Sequence, residues 1–423
     1  MSNNSLLEQM LDNENLTKAY LKVIRNKGAS GVDGMKCSQL KEYLENNIED
    51  IKHQIKCRKY NPSPVLRVEI PKDENSVRNL GIPTVVDRFI QQAITQVVEP
   101  IYEPNFSNSS YGFRPNRCCE MAIIKALEYM DDGYDWIVDI DLEKFFDTVK
   151  HDRLMSLLDR NIKDGDVMSL IRKYLVSGIQ INGKYTKSIV GMPQGGNLSP
   201  VLSNVVLNEL DVELHARGLL FVRYADDCII MVKSEKSANR VMKNVTKFIE
   251  GKLGLKVNVS KSKVARPKDI KFLGFGFYST NEGYKTIPHS KSINKLKIKL
   301  KELTSRRWSV SMDYRLLKIK QLIIGWVNYY RITTMKKVCE KIDAHTRFRL
   351  RMCIWKQWKK TRKRYNGLQK LGITKSKAWE WANSRKGYAR VANSFILCKS
   401  ITNEILKKRG LASLLVQYKL KHI

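Results

Sequence analysis

Residues 221–232 read FVRYADDCIIMV. Two apolar runs, 221–222 and 228–232, flank Arg223, Tyr224, Ala225, Asp226 and Asp227. Apolar runs around a short polar break predict two strands joined by a tight turn. Adjacent carboxylates between buried strands are costly unless something neutralises them, and a divalent cation would do so. The competing reading is a solvated hairpin turn with two ordinary acids. The rest of the chain decides between them.

Two other segments bear on that turn. Residues 136–149 read WIVDIDLEKFFDTV. The run 136–142 has the composition of a buried strand, yet it holds Asp139 and Asp141, and a period of two puts both carboxylates on one face. Residues 191–204 read GMPQGGNLSPVLSN. This is a glycine-rich turn followed by a helix whose first turn Pro200 favours. Glycines there let backbone approach a ligand closely. Strand, helix and hairpin with acids at both ends follow one another in the order of a polymerase palm. Asp141 and the Asp226–Asp227 pair lie 85 residues apart, so only a fold brings them together. Once together they can hold two Mg²⁺ ions about 3.5–4 Å apart, with Mn²⁺ a possible substitute.

Upstream, RVEIPKDENSVRNLGIPT (67–84) reads as strand, loop, strand. Lys72 and Arg78 stand on either side of the loop, two long cations that suit a triphosphate. In SYGFRPNRCC (110–119) the aromatics and Arg114 suit either a grip on a template strand or a packed turn.

Charge points to the partner. The 423-residue chain carries a net +34, placed unevenly: residues 291–423 hold 35 Lys/Arg against 6 Asp/Glu, a net of +29, while residues 1–290 net +5. Such an excess repels itself and calls for a polyanion, with nucleic acid the obvious one. From 291 three stripes of apolar residues follow the 3-and-4 spacing of helices. The short repeat LKIKL (296–300) also permits a strand. Within 361–423, Trp379, Trp381 and Tyr388 interleave with Lys375, Lys377, Arg385, Lys386 and Arg390, a pattern that suits bases and phosphates together. No run of about 18 apolar residues exists, so no membrane span is expected. The first residues lack the pattern of a signal peptide. Eight scattered cysteines form no CxxC pair, which argues for a reducing, cytoplasmic compartment.

The pieces NKGASGVDG, RVEIPKDENSVRNLGIPT, SYGFRPNRC, DIDLEKFFDTV, GMPQGGNLSP, FVRYADD, LGLKVNVSKSK and KFLGF resemble, in order, the bacterial group II intron reverse transcriptases, or maturases. Residues 325–330, GWVNYY, resemble the family's thumb, domain X. A Cys-rich HNH endonuclease domain, present in many relatives, is missing, so the chain resembles the compact IIC-like form. The resemblance implies an α+β right-hand polymerase fold. Fingers and palm would occupy 1–290, a helical thumb 291–360 and a small basic nucleic-acid-binding domain 361–423.

It also implies RNA-templated DNA synthesis from a DNA primer with dNTPs, and help with splicing and retrohoming of an intron RNA into target DNA. Asp141, Asp226 and Asp227 would be the metal ligands, and Lys72 and Arg78 the triphosphate contacts. Gln194 would line the nucleotide pocket, and Lys261 would act as a late acid or phosphate contact. Phe146, five residues after Asp141, matches the position that screens the sugar, where a phenyl ring leaves no room for a 2′-hydroxyl. Asp139 stays open as a ligand, and Asp147 reads as structural. Three competitors are an RNA-dependent RNA polymerase, disfavoured by Phe146; a splicing cofactor with a relic palm; and a domesticated relative in repair or phage defence.

Overall fold

The computed structural model describes residues 5–73 and 76–422; the side chains of Lys72, Asp73, Ser76 and Arg78 lie outside the described residues. The strands, in chain order, are β1 (Val65–Asp73), β2 (Ser76–Ile82), β3 (Trp136–Ile140), β4 (Ile179–Ile181), β5 (Lys184–Thr186), β6 (Leu220–Tyr224), β7 (Asp227–Val232), β8 (Lys263–Ala265), β9 (Phe275–Thr280) and β10 (Gly283–Pro288). The chain forms two compact units, Met1–Arg266 and Pro267–Ile423. The class is the expected mixture of helix and sheet, with a helical C-terminal region.

The first unit is built on a four-stranded antiparallel sheet, order β6-β7-β3-β8. The two runs flanking Tyr224–Asp227 pair as a hairpin, with Phe221 opposite Ile230 and Tyr224 opposite Asp227. β7 is buried from Cys228 to Val232, so its side chains are covered on both faces. Helices Cys119–Asp131, Ser199–Ala216 and Glu235–Phe248 pack against the sheet. Helix Ser199–Ala216 buries Val201, Leu202, Val205, Val206, Leu207, Leu210 and Leu214. Each such side chain contributes about 1.5–3 kcal/mol when fully buried. The same helix also buries Asn204 and Asp211, which are polar.

A second sheet, order β2-β1-β4-β5, carries the RVEIPKDENSVRNLGIPT hairpin. β1 and β2 run antiparallel with Leu66 opposite Ile82, and β1 runs parallel to β4. Helix Val85–Tyr102 follows, capped by Thr84, whose side chain accepts from the Asp87 amide. It buries Phe89, Ile90, Ala93, Ile94 and Val98 against the palm core.

The second unit opens with the β9–β10 hairpin, followed by helices Ser290–Leu303, Met312–Tyr329 and Lys336–Gln357. The LKIKL repeat is helical, because Leu296 and Leu300 then fall on one buried face. Helix Lys336–Gln357 is buried all round near its C-terminal end, from Leu350 to Trp355. Met352, Ile354 and Trp355 share a core with Leu368, Trp381, Val391 and Leu397 from the short helices beyond it. Arg315 is fully buried in this unit and donates to the carbonyls of Leu303, Ser305 and Trp308, closing the turn after the first helix. Among the described residues no helix is long and apolar enough to cross a membrane.

Candidate active site

The hairpin that carries the acids turns through Ala225 and Asp226 alone. Ala225 adopts φ +56, the left-handed region. For a residue with a Cβ this costs about 1–2 kcal/mol, so surrounding contacts must hold it. Two do. Gly112 lies so close that a Cβ there would sit 2.2 Å from the Ala225 nitrogen, which only glycine avoids. Arg223 donates from Nη1 to the Ala225 carbonyl at 3.0 Å.

Arg223 is the centre of a buried polar network. Its Nε donates to Asp211 Oδ1 at 2.7 Å and its Nη2 to Asp211 Oδ2 at 2.5 Å. Nη1 also reaches Asn204 Oδ1 at 3.0 Å, while Asn204 Nδ2 donates to the Gly112 carbonyl at 2.9 Å. Arg223, Asp211 and Asn204 are each 0% exposed. The backbone closes the same circuit: the Tyr111 amide donates to Arg223 O, and the Arg223 amide to Ser109 O, both at 2.9 Å. The SYGF segment, helix Ser199–Ala216 and the hairpin are therefore tied together beneath the turn. A strand arginine between Val222 and Tyr224 signals a buried charge; its partner, twelve residues upstream on a helix, carried no sequence signal.

The carboxylates gather at the adjoining end of the sheet. β3 pairs with β7 so that Ile140 faces Cys228, and Asp141 and Asp227 are the next residues outward on the two chains. Asp139 is pushed up to about 7, first by burial, with Lys263 opposing and the charges of Asp227 and Asp141 adding to the rise. Asp227 and Asp141 therefore lie near enough for their charges to act on Asp139. The LGLKVNVSKSK segment fixes Asp141 from the other side. Its amide donates to Ser262 Oγ at 3.0 Å and its carbonyl accepts from the Asn258 amide at 2.8 Å. Lys261 Nζ lies 3.7 Å from Asp141 Oδ2. Asp226 and Asp141 are half-buried and Asp227 is exposed. Among the described residues no group of three or more His, Cys, Asp or Glu side chains is placed to hold a metal ion by itself. Carboxylate oxygens are the donor chemistry that Mg²⁺ takes, an ion that keeps several waters and is usually bound by one or two carboxylates plus substrate phosphates.

Phe146 and the glycine-rich turn meet directly. Phe146 lies on the short helix Phe145–Thr148, half-buried, its ring edge-on to Phe145 at 5.1 Å. The Met192 amide donates to the Phe146 carbonyl at 2.6 Å and the Gly191 amide to Val149 O at 2.8 Å. Two residues on, the Gln194 carbonyl accepts from the Gly81 amide at 2.6 Å, joining the turn to β2. A cavity of about 340 Å³ opens here, lined among others by Gly81, Lys144, Asp147, Met192 and Gln194. Lys72 and Arg78 lie on β1 and β2, with Arg78 opposite Ile70, and their side chains are outside the described residues.

Arg114, expected at a nucleic-acid surface or in a packed turn, is in the packed turn. Its side chain is 4% exposed, paired with Glu103 at 2.8 Å, and donates to the carbonyls of Ser107 and Ser110. The guanidinium is fully engaged inside the protein and is not available to a template. Lys375, Lys377, Arg385, Lys386 and Arg390 are all exposed. Of the interleaved aromatics, Trp379 is 60% exposed, Trp381 is buried, and the Tyr388 ring lies under the Arg306 guanidinium.

Residues 70–277 match the family described as reverse transcriptase (RNA-dependent DNA polymerase), and residues 293–372 match the group II intron, maturase-specific domain. Protein YkfC of Escherichia coli strain K12 is 32% identical over 359 residues, 74% of this chain and 93% of that protein. The group II intron-encoded protein LtrA of Lactococcus lactis is 32% identical over 66% of this chain; the alignment spans 57% of LtrA. Among solved structures, telomerase from Candida albicans, in complex with a TWJ fragment of telomeric RNA, covers 83% of this chain and 69% of that chain at 13% identity, with a TM-score of 0.45. The palm-type sheet, the acids gathered at its hairpin and the maturase-specific match behind it agree: the chain belongs to the reverse transcriptase family of group II intron proteins.

Proposed function

We propose that the protein copies RNA into DNA, extending a primer by nucleotidyl transfer, and that it binds a group II intron RNA to assist splicing and retrohoming into target DNA. The observation that supports this most is the strand register: Asp141 follows Ile140 and Asp227 precedes Cys228 across the β3–β7 pair, with Asp226 in the adjoining two-residue turn. In the reaction the primer 3′-oxygen attacks the α-phosphorus of a dNTP, the bond to the β-phosphate bridge breaks, and pyrophosphate leaves. Asp141, Asp226 and Asp227 would hold the metal ions. Mg²⁺ bound there would supply Lewis acidity, easing loss of the 3′-hydroxyl proton and stabilising the leaving phosphate charge. Lys72 and Arg78 neutralise the triphosphate. Lys261, 3.7 Å from Asp141, acts as a late acid or a phosphate contact. Gln194 lines the nucleotide pocket and Phe146 screens the sugar. Residues 1–290 act as fingers and palm, 291–360 as thumb and 361–423 as the basic nucleic-acid-binding part, working in the cytoplasm.

Primer extension tests the reading. The purified full chain, given an RNA template, a DNA primer, Mg²⁺ and dNTPs, is expected to make cDNA and to discriminate against rNTPs. Phe146→Ala removes the ring under C2′ and is expected to raise relative rNTP use at least about tenfold, a change in barrier of about 1.4 kcal/mol. No extension with either Mg²⁺ or Mn²⁺, in a preparation that still binds intron RNA, leaves a splicing maturase; a wild-type preference for rNTPs refutes the reading outright.

The basic end gives a second expected result. Deleting 361–423 would strip the core from helix Lys336–Gln357, so the cleaner variant replaces the five exposed cations Lys375, Lys377, Arg385, Lys386 and Arg390 with Gln. Each lost phosphate contact lowers the salt slope of single-strand binding by about 0.7. If all five make contacts the slope falls by about 3.5. An unchanged slope in a salt titration of intron-RNA binding removes them from the interface.

A further inference from the structure

The second unit contains a cavity of about 380 Å³ between helices Ser290–Leu303 and Lys336–Gln357. Its apolar lining is Leu300 and Ile342, both buried, and Ile298, which is 56% exposed. The remaining lining residues are Lys297, Lys301, Lys341 and His345, and no acid is among them. Among the described residues none of these three lysines has an ion-pair partner. The charge of the slot is therefore not balanced from within.

The slot's chemistry selects its occupant. A bare phosphate would match the ammonium groups and leave the apolar lining wet. An aliphatic side chain would fill the lining and leave three cations without a counter-charge. A nucleotide satisfies both, with a flat base against Leu300, Ile342 and Ile298 and its flanking phosphates at the lysines. His345 adds a planar ring. Its pKa is lowered by burial and by the charges of Arg349 and Lys297, which favours the neutral imidazole at pH 7. Neutral aromatic rings beside cations are how proteins receive unstacked bases of single-stranded RNA.

We propose that this slot takes one extruded base of a single-stranded RNA segment, with Lys297, Lys301 and Lys341 gripping the phosphates on either side. The proposal rests on the reading that the chain binds RNA, and gives one point of that binding a base-sized pocket.

The test uses the full chain and a single-stranded RNA oligonucleotide carrying 2-aminopurine, whose fluorescence rises when the base leaves the stack. Ile298→Trp fills the slot from its exposed edge without changing charge. It is expected to weaken RNA binding about tenfold and to abolish the fluorescence rise, with the salt slope unchanged. His345→Leu, which keeps the apolar lining but removes the ring, is expected to lower the fluorescence rise as well. Lys297→Gln with Lys301→Gln is expected to reduce the salt slope instead. Wild-type affinity and fluorescence in both Ile298→Trp and His345→Leu overturn the slot while leaving RNA binding intact. A wild-type chain that binds no RNA overturns the functional reading as well. Capture by phosphatidylserine vesicles that Ile298→Trp abolishes, with RNA binding untouched, assigns the slot to lipid and overturns the proposal.

Discussion

Asp226→Ala is expected to cut cDNA synthesis by at least about a thousand-fold, the upper end of what one preorganised electrostatic group contributes, while leaving RNA affinity unchanged. The separation follows from where the charges lie. Asp226 is in a two-residue turn on the first unit, whereas residues 291–423 carry a net +29 against +5 for the rest of the chain. Losing one carboxylate cannot remove the phosphate contacts of that basic third. Asp139→Asn is the informative companion. Asp139 is already pushed toward its neutral form by burial and by Asp227 and Asp141, so an uncharged amide costs it less, and a smaller loss of synthesis is expected. Primer extension and filter binding on the same preparations read both quantities. Synthesis that survives Asp226→Ala at the wild-type rate refutes the assigned metal site.

The acids were legible in the sequence because chemistry exposes them: carboxylates inside apolar strands demand an explanation. Their gathering required the strand pairing that sets Ile140 against Cys228, which the apolar runs implied without fixing a register. Arg114 shows what such reading leaves open. An arginine beside aromatics in a glycine- and proline-containing loop suits a phosphate and a buried carboxylate equally well. Only the fold brings Glu103 to 2.8 Å and makes the residue an internal brace. The burial of helix Lys336–Gln357 had the same origin. One stripe was visible, and the further buried positions depend on the short helices that share its core.

The largest stability effect is expected at Asp211, a residue with no part in the chemistry. Asp211→Ala leaves the Arg223 guanidinium at 0% exposure without its counter-charge. Removing one partner of a buried pair typically destabilises by about 3–5 kcal/mol, because the remaining charge is left uncompensated. Urea unfolding should show this as a lower midpoint for the first unit. The paired replacement Asp211→Leu with Arg223→Met removes both charges, and its stability should return most of the way to wild type. DNA synthesis should not return with it. The Met side chain cannot donate to the Ala225 carbonyl, and Asn204 loses its guanidinium partner. The left-handed turn at Ala225 then rests on Gly112 packing and the backbone pairing of the hairpin. A folded double variant with full synthesis would mean that the sheet and Gly112 suffice to aim Asp226 and Asp227. A folded double variant with lost synthesis would assign Arg223 the task of holding the carboxylates in place.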